Sequence, residues 1–146
     1  MSINYKIIYN SFDKYEIYST VLKWDKKNTY CINKKEIDNT WMVEKMIAVY
    51  NNDELIGLGG ILPNYSLNYA SLSSIIKPKY RKKGIATRLL KEMLNYTKNE
   101  LGINIVRVNV LKKNLTCINH IEKNNFEFVS FNDKVITFEK KLINEK

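Results

Sequence analysis

Apolar positions along the chain follow two periods, and the switches between them divide it into elements. Ile3, Ile7 and Ile8 with Tyr5 and Tyr9 form a short opening strand, and Ser11 is placed to cap a helix whose apolar face is Ile17, Val21 and Leu22 with Trp24. Residues 25–42 are polar and lack a clean period, although they carry Tyr30, Ile37 and Trp41; they read as a loop with one helical turn at most. Met46 to Tyr50 and Leu55 to Leu62 are apolar runs on either side of Asn51-Asn52-Asp53-Glu54, the pattern of an antiparallel hairpin, and Pro63 and Asn64 end its second strand. Ala70 to Ile76 is a third such run, stopped by Pro78.

From Gly84 to Glu100 the period becomes helical, with Ile85, Leu89, Leu90, Met93 and Leu94 on one face and Gly102 placed to stop the helix. Ile103 to Val110 is a β-branched run bounded by Lys112, Lys113 and Asn114. Strand, helix, strand in that order predicts a parallel crossover. A second helix fits Leu115 to Lys123, capped by Asn114 and stopped at Asn125, where Asn tolerates a left-handed conformation. Phe126 to Phe131 and Val135 to Leu142 close the chain as a hairpin around Asn132-Asp133. The expected fold is α/β, a mixed sheet with helices on its faces. At 146 residues and 45% hydrophobic, one domain over 1–146 accommodates it, without internal repeats.

Charge widens the functional field more than it narrows it. Lys and Arg number 24 against 15 Asp and Glu, a net charge of +9, which attracts phosphates, nucleic acid or anionic lipid alike. Lys, Asn, Ile and Tyr are enriched along the whole chain, so compositional bias accounts for the charge as readily as a functional surface does. The start, Met1-Ser2-Ile3-Asn4-Tyr5-Lys6, has no apolar signal-peptide core, and no apolar run approaches the ~20 residues that span a bilayer; a cytoplasmic protein without membrane partners is expected. Cys31 and Cys117 stand far apart with no companion His cluster, so neither a disulfide framework nor a metal site is expected.

The sharpest local signal is Arg81-Lys82-Lys83-Gly84-Ile85-Ala86, set between a strand and the start of a helix. The first amides of a helix have no intrahelical acceptor, and with the helix dipole they suit a bound anion. Gly84 and Ala86 let a phosphate oxygen approach backbone nitrogen, while Arg81, Lys82 and Lys83 surround the cradle with positive charge. A basic turn ahead of a helix is the plainer reading of the same residues. Gly57-Leu58-Gly59-Gly60 does not open a helix and no Gly-Lys-Ser/Thr loop is present, which excludes two other phosphate motifs; those glycines are expected to permit close strand packing or a bulge.

A strand followed by Arg/Gln-x-x-Gly-x-Gly/Ala at the head of a long helix is the hallmark of the GNAT acetyltransferases, and Arg81, Gly84 and Ala86 match it in context. The resemblance runs from about Ile47 to Phe128. It implies a mixed, largely antiparallel sheet with a central parallel strand pair and helices on both faces, and an N-acetyltransferase that uses acetyl-CoA as acyl donor without a metal. It further implies that Ser74, Ile75 and Ile76 pair with the pantetheine arm, that the amides of Lys82, Lys83, Gly84, Ile85, Ala86 and Thr87 hold the pyrophosphate, and that Asn114 lies near the arm. Asn114 serves equally as a plain helix cap.

One departure touches the chemistry: where the family frequently places a Tyr that protonates the leaving thiolate, this chain has Ile121. His120, the single histidine, is the candidate acid or base, although adjacent helix positions diverge by ~100°. Cys117 stands where a small packing residue is common. The reaction implied is direct attack of a primary amine on the thioester, with the oxyanion held by a backbone N–H near Ile76. No carboxylate lies on the Ala70 to Ile76 strand; Glu44 and Glu54 are outside candidates for the base, and Trp24, Tyr30, Trp41, Tyr65 and Tyr69 for the acceptor pocket. Two rival readings are a noncatalytic acyl-CoA-binding module and a basic nucleic-acid-binding domain, the second lacking any nucleic-acid motif. Homodimerisation is expected by analogy with small domains of this kind.

Overall fold

The computed structural model describes residues 1–24 and 44–142. The elements are β1 (Ile3–Ile8), α1 (Ser11–Leu22), β2 (Lys45–Asn51), β3 (Glu54–Asn64), β4 (Tyr69–Ile76), a single 3-10 turn (Pro78–Tyr80), α2 (Ile85–Asn99), β5 (Ile105–Leu111), α3 (Leu115–Lys123), β6 (Glu127–Phe131) and β7 (Val135–Lys141). The strands form one sheet in the order β1-β2-β3-β4-β5-β7-β6. Every pairing is antiparallel except that of β4 with β5, the strands joined through α2. Tyr30, Cys31 and Trp41, with the expected loop around them, lie outside the described residues.

The two faces of the sheet follow from strand alternation, because successive side chains point to opposite sides. Ile47, Val49, Ile61, Leu72 and Ile76 face α2 and pack with Ile85, Leu89, Leu90 and Met93. Met46, Ala48, Leu58 and Ile75 point the other way and are covered by Ile17, Tyr18 and Val21 of α1. Each fully buried aliphatic side chain contributes about 1.5–3 kcal/mol relative to exposure, so α2 and α1 are held by these stripes and not by helix propensity.

Two glycines of β3 permit close packing, Gly59 against α2 and Gly57 against its β4 partner. A Cβ on Gly59 would lie 2.6 Å from the Met93 sulfur, and one on Gly57 would lie 2.8 Å from Ile76 Cδ1. The expected close packing is therefore present, and a register shift at Val49/Tyr50 adds an irregularity opposite the same stretch. At the start of α1 the cap is Asn10 and not Ser11: Asn10 Oδ1 accepts from the amides of Phe12 and Asp13 at 2.8 and 3.2 Å, which makes Ser11 the first helical residue. Asn114 caps α3 as expected, and Asn125 beyond it adopts φ 66°.

Candidate active site

β4 and β5 run side by side for only a short distance. Their register consists of Ala70 opposite Val106 and Ser71 opposite Arg107. Past Ser71, β4 keeps its partner on the β3 side through Ile76, and no described strand is registered on its other edge. The strands part around a cavity of about 40 Å³, room for a group of a few heavy atoms. Its strand walls are Leu72, Ser73 and Ser74 from β4 and Val108, Asn109 and Val110 from β5; Leu90 and Met93 of α2 and Cys117, His120 and Ile121 of α3 complete it.

Beyond the splayed end of β4 the chain turns through Pro78–Tyr80 into the basic segment. Lys82 has φ 62° and Gly84 φ 82°, two left-handed residues flanking Lys83, an arrangement that bends successive amides toward a common concavity at the head of α2. A Cβ built on Gly84 meets no atom within 4 Å. Glycine is therefore required there by conformation, and the space before the helix is open to an anion. Arg81 does not simply add charge: its Nε donates to the Ile76 carbonyl at 2.8 Å and ties the end of β4 to the cradle. Lys82 and Lys83 are exposed and free to meet phosphate.

The two outside carboxylates sit in opposite environments. Glu54 accepts from Lys77 Nζ at 2.7 Å and Tyr80 Oη at 2.6 Å, with Lys79 Nζ at 3.5 Å. Hydrogen bonds from Lys77 and Tyr80 hold its pKa down to about 2, so Glu54 is a permanent anion that braces the turn into the cradle and is unsuited to accept a proton near neutrality. Glu44 stands on the α1 side of the sheet. Burial pushes its pKa up to about 7, with the Lys14 ammonium opposing the rise. Lys14 is buried and donates to the Glu44 backbone carbonyl at 2.7 Å. The Glu44 carboxylate occupies the space that a side chain on Gly60 would fill, 2.8 Å from that Cβ position, and Ser73 Oγ lies 3.1 Å from the same point.

His120 and Ile121 both line the cavity, although adjacent helix positions diverge by ~100°. Its pKa is lowered by burial first and by Lys123 second, so the ring is neutral at pH 7 and cannot deliver a full proton as a standing imidazolium. Ser74 lines the cavity, whereas the Ile75 side chain packs under α1 and that of Ile76 under α2. Asn114 is buried and its Oδ1 accepts from the Cys117 amide at 3.2 Å, the geometry of a helix cap.

Three of the aromatic candidates, Tyr69, Trp24 and Tyr65, do not line this cavity. Tyr69 sits at the paired end of β4 beneath the Arg107 guanidinium, 4.6 Å from the ring centroid, and Trp24 packs against the α1 cluster. Tyr65 is exposed in the turn before β4. Ser73 and Asn109, which line the cavity, were not singled out by sequence; the available signal was two consecutive serines in a strand otherwise rich in apolar residues. Among the described residues there is no cluster of three or more His, Cys, Asp or Glu that could hold a metal, and no helix long and apolar enough to cross a membrane.

Residues 7–126 match the profile of the Acetyltransferase (GNAT) family. No curated protein sequence matches the chain. Among solved structures, IAA acetyltransferase from Bacillus cereus ATCC 14579 is similar with a TM-score of 0.78 at 15% identity, covering 97% of this chain and 100% of that one. PaiA N-acetyltransferase from Thermoplasma acidophilum, in complex with coenzyme A, gives 0.75 at 22% identity over 97% and 99% of the two chains. Spermidine/spermine N-acetyltransferase SpeG from Vibrio cholerae, in complex with manganese ions, gives 0.71 at 18% identity over 97% and 93%.

Proposed function

The chain belongs to the GNAT acetyltransferase family, and on that premise we propose that it transfers an acetyl group from acetyl-CoA to a primary amine by direct attack within a ternary complex. The observation that carries this reading is the continuity of two features. The unpaired edge of β4 ends at an open cradle of amides whose one glycine has nothing in front of it.

In this reading the cradle from Lys82 to Thr87 holds the pyrophosphate, and the exposed Lys82 and Lys83 add charge to it. The β4 edge at Ser74, Ile75 and Ile76 offers main-chain groups to the pantetheine arm as an added strand would. The thioester supplies the electrophilic carbonyl, and the cavity between β4 and β5 receives it. A backbone N–H near Ile76 meets the oxyanion, and Arg81 keeps that end of β4 in place. His120, neutral and on the cavity wall, offers a hydrogen bond to the departing sulfur, and the second proton comes from solvent. No metal takes part. Two copies are proposed to associate through the edge strand β6, where Phe128, Val129 and Phe131 are exposed.

Thermal unfolding with acetyl-CoA tests the site. Saturation near 100 times Kd adds about 2.7 kcal/mol to wild type. Gly84→Glu, which puts a bulky anion at a left-handed position facing the cradle, is expected to abolish the shift. A wild-type protein unmoved by millimolar acetyl-CoA would sink the proposal.

A further inference from the structure

We propose that Glu44, reaching across the vacancy at Gly60, takes the proton from the acceptor's ammonium. The inference rests on the transferase reading above and adds the group that this reading lacks, since β4 itself carries no carboxylate between Tyr69 and Ile76.

Glu44 precedes β2, and β3 lies between that strand and β4 in the sheet, yet the Glu44 side chain extends over β3 to the Gly60 position, which Ser73 of β4 also borders. Gly60 pairs with Ser73 across β3 and β4. Because Gly60 has no side chain, the Glu44 carboxylate lies over the sheet there, and Ser73 Oγ borders the same vacancy. Ser73 also lines the cavity. A single residue of β4 thus touches both the space where the thioester is expected and the space that the carboxylate occupies.

The face is also suitable. Gly60, Ser73, Leu58 and Ile75 alternate onto the α1 side, while the cradle heads α2 on the opposite side with α3. An amine arriving past Glu44 therefore approaches the carbonyl from the side away from His120 and Cys117, so the nucleophile enters and the thiolate departs on different faces.

The surroundings make Glu44 a usable base. Among the described residues the charged group against it is Lys14 from α1, whose ammonium is held on the Glu44 carbonyl; Lys45 follows on β2 and acts on Lys14, while β3 and β4 bring Gly60 and the Ser73 hydroxyl to it. Burial raises the carboxyl toward neutrality, and Lys14 keeps the rise from running further. Proton balance is simple. The carboxylate takes one proton from R-NH3+, the freed nitrogen lone pair forms the C–N bond, and the C–S bond breaks to give a thiolate. The second N–H proton passes to the thiolate through solvent, and Glu44 returns its proton to water.

Kinetics with two minimal nucleophiles test the assignment. n-Butylamine brings only an ammonium that must lose a proton, whereas hydroxylamine is already neutral at pH 7. With acetyl-CoA as donor, thiol release is followed from pH 6 to 9 and corrected for the uncatalysed reaction. Glu44→Gln is expected to lower kcat/KM for n-butylamine about 100-fold at pH 7 and to erase the acid limb of its pH profile. Acetyl-CoA affinity by calorimetry and turnover of hydroxylamine should change less than about 3-fold. Glu44→Asp, which keeps the carboxylate, should retain the limb at reduced rate. Equal losses on both nucleophiles, an intact limb in Glu44→Gln, or an unchanged n-butylamine rate would overturn the role of Glu44 while leaving the transferase reading standing. Failure of the wild type to bind coenzyme A or to acetylate either amine overturns that reading and this inference with it.

Discussion

Glu44 and Glu54 stand just before and just after β2, yet one is raised to about 7 and the other lowered to about 2. Glu54 stands at the start of β3 and collects Lys77, Lys79 and Tyr80, delivered by the turn that follows β4. Glu44 lies over the sheet beside Gly60, where burial outweighs the single ammonium of Lys14. A carboxylate's proton affinity is thus set by its neighbours: donors from the turn after β4 lower it at Glu54, and burial raises it at Glu44.

The largest expected effect that tests this contrast is on stability. A carboxyl whose folded pKa is raised binds more protons folded than unfolded between about pH 4.5 and 7, so its contribution is fully present below that window and is lost as pH rises through about 7. Glu44→Gln should therefore be more stable than wild type at pH 8, by on the order of 3 kcal/mol at most, with the gap closing toward pH 5. Urea titrations across that range measure it, and a variant less stable than wild type at pH 8 would break the comparison.

Glu54 predicts the opposite sign. Its folded pKa is depressed, so its contribution is present above about pH 4.5 and is lost as pH falls toward 2. Glu54→Gln should unfold at a lower temperature than wild type at pH 7 and converge with it near pH 2. It should leave any acid limb near pH 7 in place, because Glu54 is already ionised there.

The smallest effect is expected from Gly60→Ala. The added methyl would lie 2.8 Å from Glu44 Oε2, the far end of a flexible side chain, so the carboxylate swings away at modest cost. A several-fold loss on n-butylamine with acetyl-CoA affinity unchanged would sharpen the comparison. Full n-butylamine activity in Gly60→Ala would show that the position of the carboxylate over the sheet is immaterial.

Much of the architecture was legible in the chain because it rests on local rules. The hairpin at Asn52-Asp53, the helix from Ile85 and the helix over Leu115–Lys123 each carry period, cap and stop within a few residues, and each appears where expected. The basic turn with its left-handed Gly84 and the helix head that follows belong to the same class, since they are contiguous in the chain. The cap of α1 was misplaced by one residue because Asn10 and Ser11 are both good capping residues, and only the backbone turn shows that Asn10 Oδ1 reaches the amides of Phe12 and Asp13. The aromatic side chains that the structure describes are placed by tertiary partners for a related reason. Tyr69 and Trp24 are amphipathic and find other partners, an Arg107 guanidinium in one case and the α1 cluster in the other.

By itself the sequence determined the order of elements, the crossover through α2 and the motif that marks the family, all of which depend on residues close together in the chain. Only the tertiary structure decided where β4 and β5 part, that His120 and Ile121 both reach the cavity, and that Glu44 meets Gly60 and Ser73 while Glu54 is claimed by Lys77 and Tyr80. Those facts join residues distant in the chain, and the balance of burial against hydrogen bonding that sets each carboxyl exists only once the sheet has brought them together.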